Sequence, residues 1–110
     1  MPKDLEISRL CDAYGALLTD NMCRAVREYY DYDMSLAEIG EEFEITRQAV
    51  LCRLRQAEGK LKEFEAAIGM VKRSDELCVR LQDALSVIDA RPDEAKRIIS
   101  DAVRDLRDMR

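Results

Sequence analysis

Residues 46 to 62, TRQAVLCRLRQAEGKLK, set five bases, Arg47, Arg53, Arg55, Lys60 and Lys62, against one acid, Glu58. That is a local balance of +4 in a chain whose formal net charge is −5. Residues 35 to 45, SLAEIGEEFEI, hold Glu38, Glu41, Glu42 and Glu44 and no base, so the sign reverses across one short turn. Recognition of a polyanion asks for a free helix N-terminus near phosphate, a guanidinium for phosphate or guanine, and an amide able to pair with adenine. Thr46, Arg47 and Gln48 supply these in order. On a helix capped by Thr46, Arg47, Leu51 and Arg55 share a face at steps of four, with Gln48 and Cys52 beside them, while Val50 and Leu54 point to the core. The candidate nucleic-acid-binding set is therefore Thr46, Arg47, Gln48, Leu51 and Arg55. Leu51 and Cys52 keep a second reading open, because apolar groups there would touch a thymine methyl or suit a protein groove equally well. A basic run on any helix also serves merely to keep it solvated. The preceding turn and caps favour reading over solvation, while the acidic remainder of the chain argues against strong non-specific DNA binding.

Other chemistries find little in the sequence. The chain has no His, its four cysteines, Cys11, Cys23, Cys52 and Cys78, form no CxxC pair, and no Ser lies in a GxSxG or phosphate-loop context. These facts predict no catalytic residue, no metal site and no cofactor; the cysteines, at or beside apolar helical positions, read as small hydrophobes. No apolar run approaches the roughly 20 residues of a membrane span, and MPKDLEISRL lacks a signal-like apolar core, which predicts a cytoplasmic protein.

The elements that must position the set are helical. Charged residues make up 37% of the chain and it has only four Gly and two Pro, a balance that favours amphipathic helices and an all-α fold. Leu5, Leu10, Ala13, Tyr14, Leu17 and Leu18 mark one face of a first helix over 5–18. A second follows Thr19 or Asp20 with Met22, Val26, Tyr29 and Tyr30 inside. The three tyrosines at 29, 30 and 32 read as core rings with wet hydroxyls rather than as a platform for bases. Ser35 opens a third helix as a capping box with Glu38, turning Leu36, Ile39, Gly40 and Phe43 inward. Gly40 marks a close approach between the crossing helices, since a helical Gly otherwise costs about 1 kcal/mol. From Thr46 the apolar positions Val50, Leu54, Ala57, Leu61, Phe64 and Ile68 extend a fourth helix to about 35 Å. Ser74-Asp75-Glu76 reads as the start of a fifth helix, broken before Pro92 starts a sixth whose stripe runs through Ile98, Ile99, Ala102, Val103, Leu106 and Met109. The expected architecture is a helix-turn-helix bundle with a long fourth helix over residues 1–73, and a C-terminal αα-hairpin over 74–110, packed on that bundle or on a partner subunit. The surplus apolar surface of the C-terminal half predicts a homodimer.

The ordered set YGALLT at 14–19, YYDYDMSLAEI at 29–39, EEF at 41–43 and ITRQAV at 45–50 resembles the YlxM family of small bacterial proteins, themselves similar to the helix-turn-helix of sigma-factor region four. The resemblance covers residues 9 to 73. It implies a DNA-binding regulatory protein, with DNA or RNA as ligand, and an association with signal recognition particle components. The alternative within the same fold is a protein or ribonucleoprotein interaction adaptor of the secretion pathway with little DNA binding. Glu44 stands where the family usually has Gly, which predicts either backbone strain or a reshaped turn. The family commonly has an aromatic at the position of Leu51.

Overall fold

The computed structural model describes residues 4–108. Among them lie six α-helices and no strand. These are α1 (Leu5–Tyr14), α2 (Asp20–Tyr30), α3 (Leu36–Phe43), α4 (Arg47–Ile68), α5 (Met70–Val87) and α6 (Pro92–Asp108), with a 3-10 turn at Gly15–Leu17 after α1. The chain divides into two compact units, Met1–Val71 and Lys72–Arg110.

The first unit is built around α4. Val50, Leu54, Ala57 and Leu61 are each at most 2% exposed and meet Ile7, Leu10, Cys11 and Tyr14 of α1, Met22, Ala25 and Val26 of α2, and Ile39 of α3. The buried face of α1 differs from the expected one. Ile7, Leu10, Cys11 and Tyr14 follow the i, i+3, i+4, i+7 pattern of a single stripe, and Leu5 and Leu17 are left exposed. The first helix also ends at Tyr14, not near Leu18; the chain tightens into the 3-10 turn before Leu18 becomes extended. Tyr29 and Tyr30 are half-buried with rings edge to face at 5.0 Å, whereas Tyr32 is exposed. Tyr30 donates its hydroxyl to the Glu58 carboxylate, and burial followed by that acceptor pushes the phenol well above its ordinary range.

The fifth helix starts at Met70, four residues before the Ser74 cap that local sequence suggested. Gly69, with φ 71°, ends α4 in a left-handed conformation at no side-chain cost. The orphan donors at the start of α5 then find partners from elsewhere. The Met70 N–H donates to the Tyr14 hydroxyl at 2.9 Å, and the Val71 N–H donates to the Glu65 carboxylate at 3.0 Å. Tyr14 in turn donates to Glu65 at 2.5 Å. A tertiary cap from α1 and α4 thus replaces the local one.

In the second unit α5 and α6 form an antiparallel hairpin joined by a short turn, with Arg80 and Asp105 paired across it at 2.8 Å. Its fully buried positions are alanines, Ala84, Ala95 and Ala102. Met109, counted in the sixth-helix stripe, lies outside the described residues.

Candidate nucleic-acid interface

Two helices joined by three residues, Glu44, Ile45 and Thr46, place the candidate set. The Ser35 hydroxyl accepts the Glu38 N–H at 3.1 Å while the Glu38 carboxylate accepts the Ser35 N–H at 3.2 Å, so the capping box that opens α3 is complete. At its other end the Ile45 N–H donates to the Gly40 carbonyl at 2.9 Å and the Glu44 N–H to that of Glu41 at 3.3 Å. This paired closure asks for a left-handed residue in between, and Glu44 takes it, with φ 58° and ψ 42°. The turn therefore keeps its shape and bears the strain of a Cβ, on the order of 1 kcal/mol.

Gly40 permits the turn's return. A Cβ there would lie 2.7 Å from the Ile45 carbonyl oxygen, with the Arg47 nitrogen and the Thr46 carbonyl carbon at 3.6 Å. The close approach is to the backbone of the turn, not to the side of the crossing helix that the spacing suggested.

Thr46 caps α4, its hydroxyl accepting the Ala49 N–H at 3.0 Å. This leaves Arg47 and Gln48 in the first turn, both exposed. Val50 is 0% and Leu54 2% exposed, which fixes the rotation of the helix. Gln48, Cys52 and Arg55 stand opposite that core stripe and are exposed; Gly59, one turn on, extends the same line without a side chain. Leu51 is half-buried at the edge of the line, between the outer face and the core. Cys52 and Cys78 are exposed thiols and not filler; Cys11 is buried and Cys23 half-buried, their sulfurs 3.9 Å apart.

The basic run does not act as one patch. Arg53 is half-buried with its guanidinium 5.3 Å from the centre of the Phe43 ring, and Arg24 of α2 covers the same ring at 4.7 Å. Arg24 also pairs with Glu28 at 3.2 Å and with Glu42. Arg53 thus braces α3 against α4 instead of facing outward with Arg55. An aromatic four residues beyond Ile39 signalled core, and nothing in the local spacing revealed the two cations over it. Of the four acids of α3 and its turn, Glu38 serves the capping box and Glu42 meets Arg24. Glu41 and Glu44 line a shallow concavity of about 470 Å³ with Ile45, Thr46 and Arg47, directly before the N-terminus of α4. Negative charge there opposes phosphate and weakens whatever anion affinity the helix end supplies. Among the described residues no group of three or more His, Cys, Asp or Glu is arranged to hold a metal, and no helix is long and apolar enough to cross a membrane.

A family model for helix-turn-helix proteins of the YlxM / p13-like type, UPF0122, matches residues 1–101. The chain belongs to the UPF0122 family. Its similarity to individual members runs over most of both chains. It is 36% identical over 110 residues to the UPF0122 protein of Thermoanaerobacter sp. strain X514, covering 96% of this chain and 94% of that one. It is 41% identical over 91 residues to the UPF0122 protein of Symbiobacterium thermophilum, covering 79% and 85%. A third relative, from Geobacillus kaustophilus, is 34% identical over 89 residues, covering 78% and 81%. The UPF0122 match takes in both helices of the helix-turn-helix, α3 and α4, and extends past α4 into α6.

Proposed function

We propose that this UPF0122 protein is a regulatory helix-turn-helix protein that reads duplex DNA with the first three turns of α4. Thr46 and Arg47 hold phosphate at the helix N-terminus, Gln48 reads a base edge, and Arg55 holds phosphate or guanine further along the groove. Leu51, half-buried, contributes only its edge, against a thymine methyl. The observation that carries this reading is the outer line of α4, in which Gln48 and Arg55 flank Cys52 with no contiguous apolar patch. A docking helix for a protein groove would present its apolar residues at that line, and Leu51 is turned partly inward instead. Association with signal recognition particle components or RNA rests on the family resemblance alone, and no residue placement favours it over DNA. Glu41 and Glu44 beside the helix N-terminus keep non-specific affinity low, so binding depends on base contacts and on cooperation between two heads.

The test is fluorescence anisotropy with the full chain, a DNA pool enriched by selection and an RNA pool prepared the same way, over a range of salt concentrations. Arg47→Ala and Arg55→Ala should each lower the magnitude of the salt slope by about 0.9 where the lost contact is to phosphate of B-DNA. Gln48→Ala should relax sequence preference at one position. Equal DNA affinity for the Arg47→Ala/Arg55→Ala double variant and the parent rejects this face as the reader, and selection of RNA alone rejects DNA.

A further inference from the structure

Cys11 and Cys23 face each other across the corner between α1 and α2. Cys11 lies in the last turn of α1 and Cys23 in the first turn of α2, 12 positions on, with their sulfurs 3.9 Å apart. Their backbones are fixed by the corner itself: the Cys11 carbonyl accepts the Gly15 N–H, and the Cys23 N–H donates to the Thr19 carbonyl at 2.9 Å. The residue beside both sulfurs has no side chain. A Cβ at Gly15 would lie 3.2 Å from the Cys11 sulfur and 3.3 Å from that of Cys23, closer than ordinary van der Waals contact. Glycine thus leaves both thiols room to turn, and a disulfide bond of about 2.05 Å asks each sulfur to move by only about 1 Å.

The two thiols differ in access. Cys11 is 2% exposed, whereas Cys23 is half-buried, with part of its surface in water. Burial holds Cys11 in the thiol form; against that acts the guanidinium of Arg27, which Asp12 and Asp31 fix in place at 2.7 and 2.8 Å. An oxidant small enough to enter the corner therefore meets Cys23 first and finds Cys11 waiting behind it. This is the arrangement of an attacking thiol with a resolving partner.

We infer that Cys11 and Cys23 form a site of reversible oxidation, at which a small hydroperoxide converts the pair to an intrachain disulfide that staples α1 to α2. The Cys23 thiolate attacks one peroxide oxygen: an S–O bond forms, the O–O bond breaks, and the leaving hydroxide takes up a proton as water. Cys11 sulfur then attacks the Cys23 sulfenic acid. The S–S bond forms, the S–O bond breaks, and the departing hydroxide leaves as water with the Cys11 proton. In sum two thiols lose two electrons and two protons, and the peroxide is reduced to two waters. Arg24, next to Cys23, covers the Phe43 ring and pairs with Glu42, so the staple fastens α1 to the helix that clamps α3. The inference is independent of the nucleic-acid reading, since no residue of the reading set takes part.

Mass spectrometry of tryptic peptides tests it on the full chain. Residues 10–24 follow Arg9, end at Arg24 and hold both cysteines with no base between, so trypsin releases the pair in one peptide. After near-stoichiometric hydrogen peroxide and then iodoacetamide in denaturant, that peptide should be lighter than its reduced form by two hydrogens and carry no label. Dithiothreitol should restore both labelling sites. Cys11→Ala should leave Cys23 as a sulfenic acid that dimedone traps, and Cys23→Ser should leave Cys11 unoxidised. Because the bridge closes a loop of 12 positions, the oxidised chain should melt roughly 10 °C above the reduced one. Two free thiols in the parent peptide after peroxide overturn the inference by themselves, even where Cys11→Ala fails to fold. So does sulfinic acid on Cys23 in place of the bridge, a bridge from Cys23 to Cys52 or Cys78 instead, oxidation of Cys11 at the parent's rate in Cys23→Ser, or a melting temperature lowered by oxidation.

Discussion

Two glycines inside helices of the first unit should respond to alanine with opposite signs. At Gly59 nothing lies within 4 Å of an added Cβ, and the position is exposed in the middle of α4. Gly59→Ala should therefore recover the full helix-propensity difference of about 1 kcal/mol. At Gly40 the same gain is available, but the Cβ would stand 2.7 Å from the Ile45 carbonyl oxygen. That contact is with backbone held by the 2.9 Å bond from the Ile45 N–H to the Gly40 carbonyl, so relief moves the whole turn. Overpacking of this kind costs about 1–3 kcal/mol, and weakening that hydrogen bond about 1 more. Gly40→Ala should thus lose a net ~1–3 kcal/mol. For a chain of this length ~1 kcal/mol corresponds to roughly 4 °C of melting temperature. Urea and thermal unfolding, followed by circular dichroism, should show Gly59→Ala rising by about 4 °C and Gly40→Ala falling by about 4–12 °C. A rise for both refutes the packed turn; a fall for Gly59→Ala refutes the open helical environment assigned to residue 59.

At Glu44, relief of the left-handed Cβ and removal of a negative charge from a helix C-terminus outweigh the extra chain entropy of glycine. Glu44→Gly should stabilise by up to about 1 kcal/mol and Glu44→Gln by a few tenths; a loss in the urea midpoint of either contradicts the turn geometry. Val50→Asp forces a carboxylate into a site that is 0% exposed, at a cost of several kcal/mol, and should abolish cooperative unfolding of the first unit by circular dichroism. Burial above all pushes the Cys11 thiol from 9.0 up to about 11. Folding therefore favours the neutral thiol, and its contribution is complete below pH 9 and lost as pH rises through about 11. The parent's stability should fall across that window more than that of Cys11→Ala. Iodoacetamide at pH 8 should modify Cys52 and Cys78 while sparing Cys11, and modification of Cys11 in the folded chain would refute its burial.

What the sequence disclosed follows the range of the interactions involved. The Ser35–Glu38 box, the Thr46 cap and the inward Val50 and Leu54 depend on neighbours within four residues, and all are placed as their spacing predicts. Residues 35–54 were therefore legible as a helix-turn-helix. The start of α5 was not, because Tyr14 and Glu65 supply its first partners and local pattern sees only the weaker Ser74 signal. Arg53 read as one more base until Phe43, ten residues before it, drew it aside. Leu51 sat on the predicted outer face because steps of four from Arg47 do not resolve how a helix rolls between its core stripe and its edge. The surplus apolar surface of the C-terminal half was legible as periodicity, whereas the burial there of Ala84, Ala95 and Ala102 in place of the large residues required coordinates.

The Tyr14 hydroxyl also sets an order of events. Its partners, Glu65 and the Met70 N–H, come 51 and 56 residues later in the chain. As the polypeptide leaves the ribosome, α1 and α2 emerge with the apolar residues that meet α4 still uncovered, and the last link that locks α1 is made only once Met70 is free. The first unit therefore closes late and nearly all at once, as loop closure over long separations dictates. Pausing of synthesis within α4 would hold the chain in a state that exposes Ile7, Leu10 and Tyr14. That interval is when a nascent-chain chaperone has the most to bind.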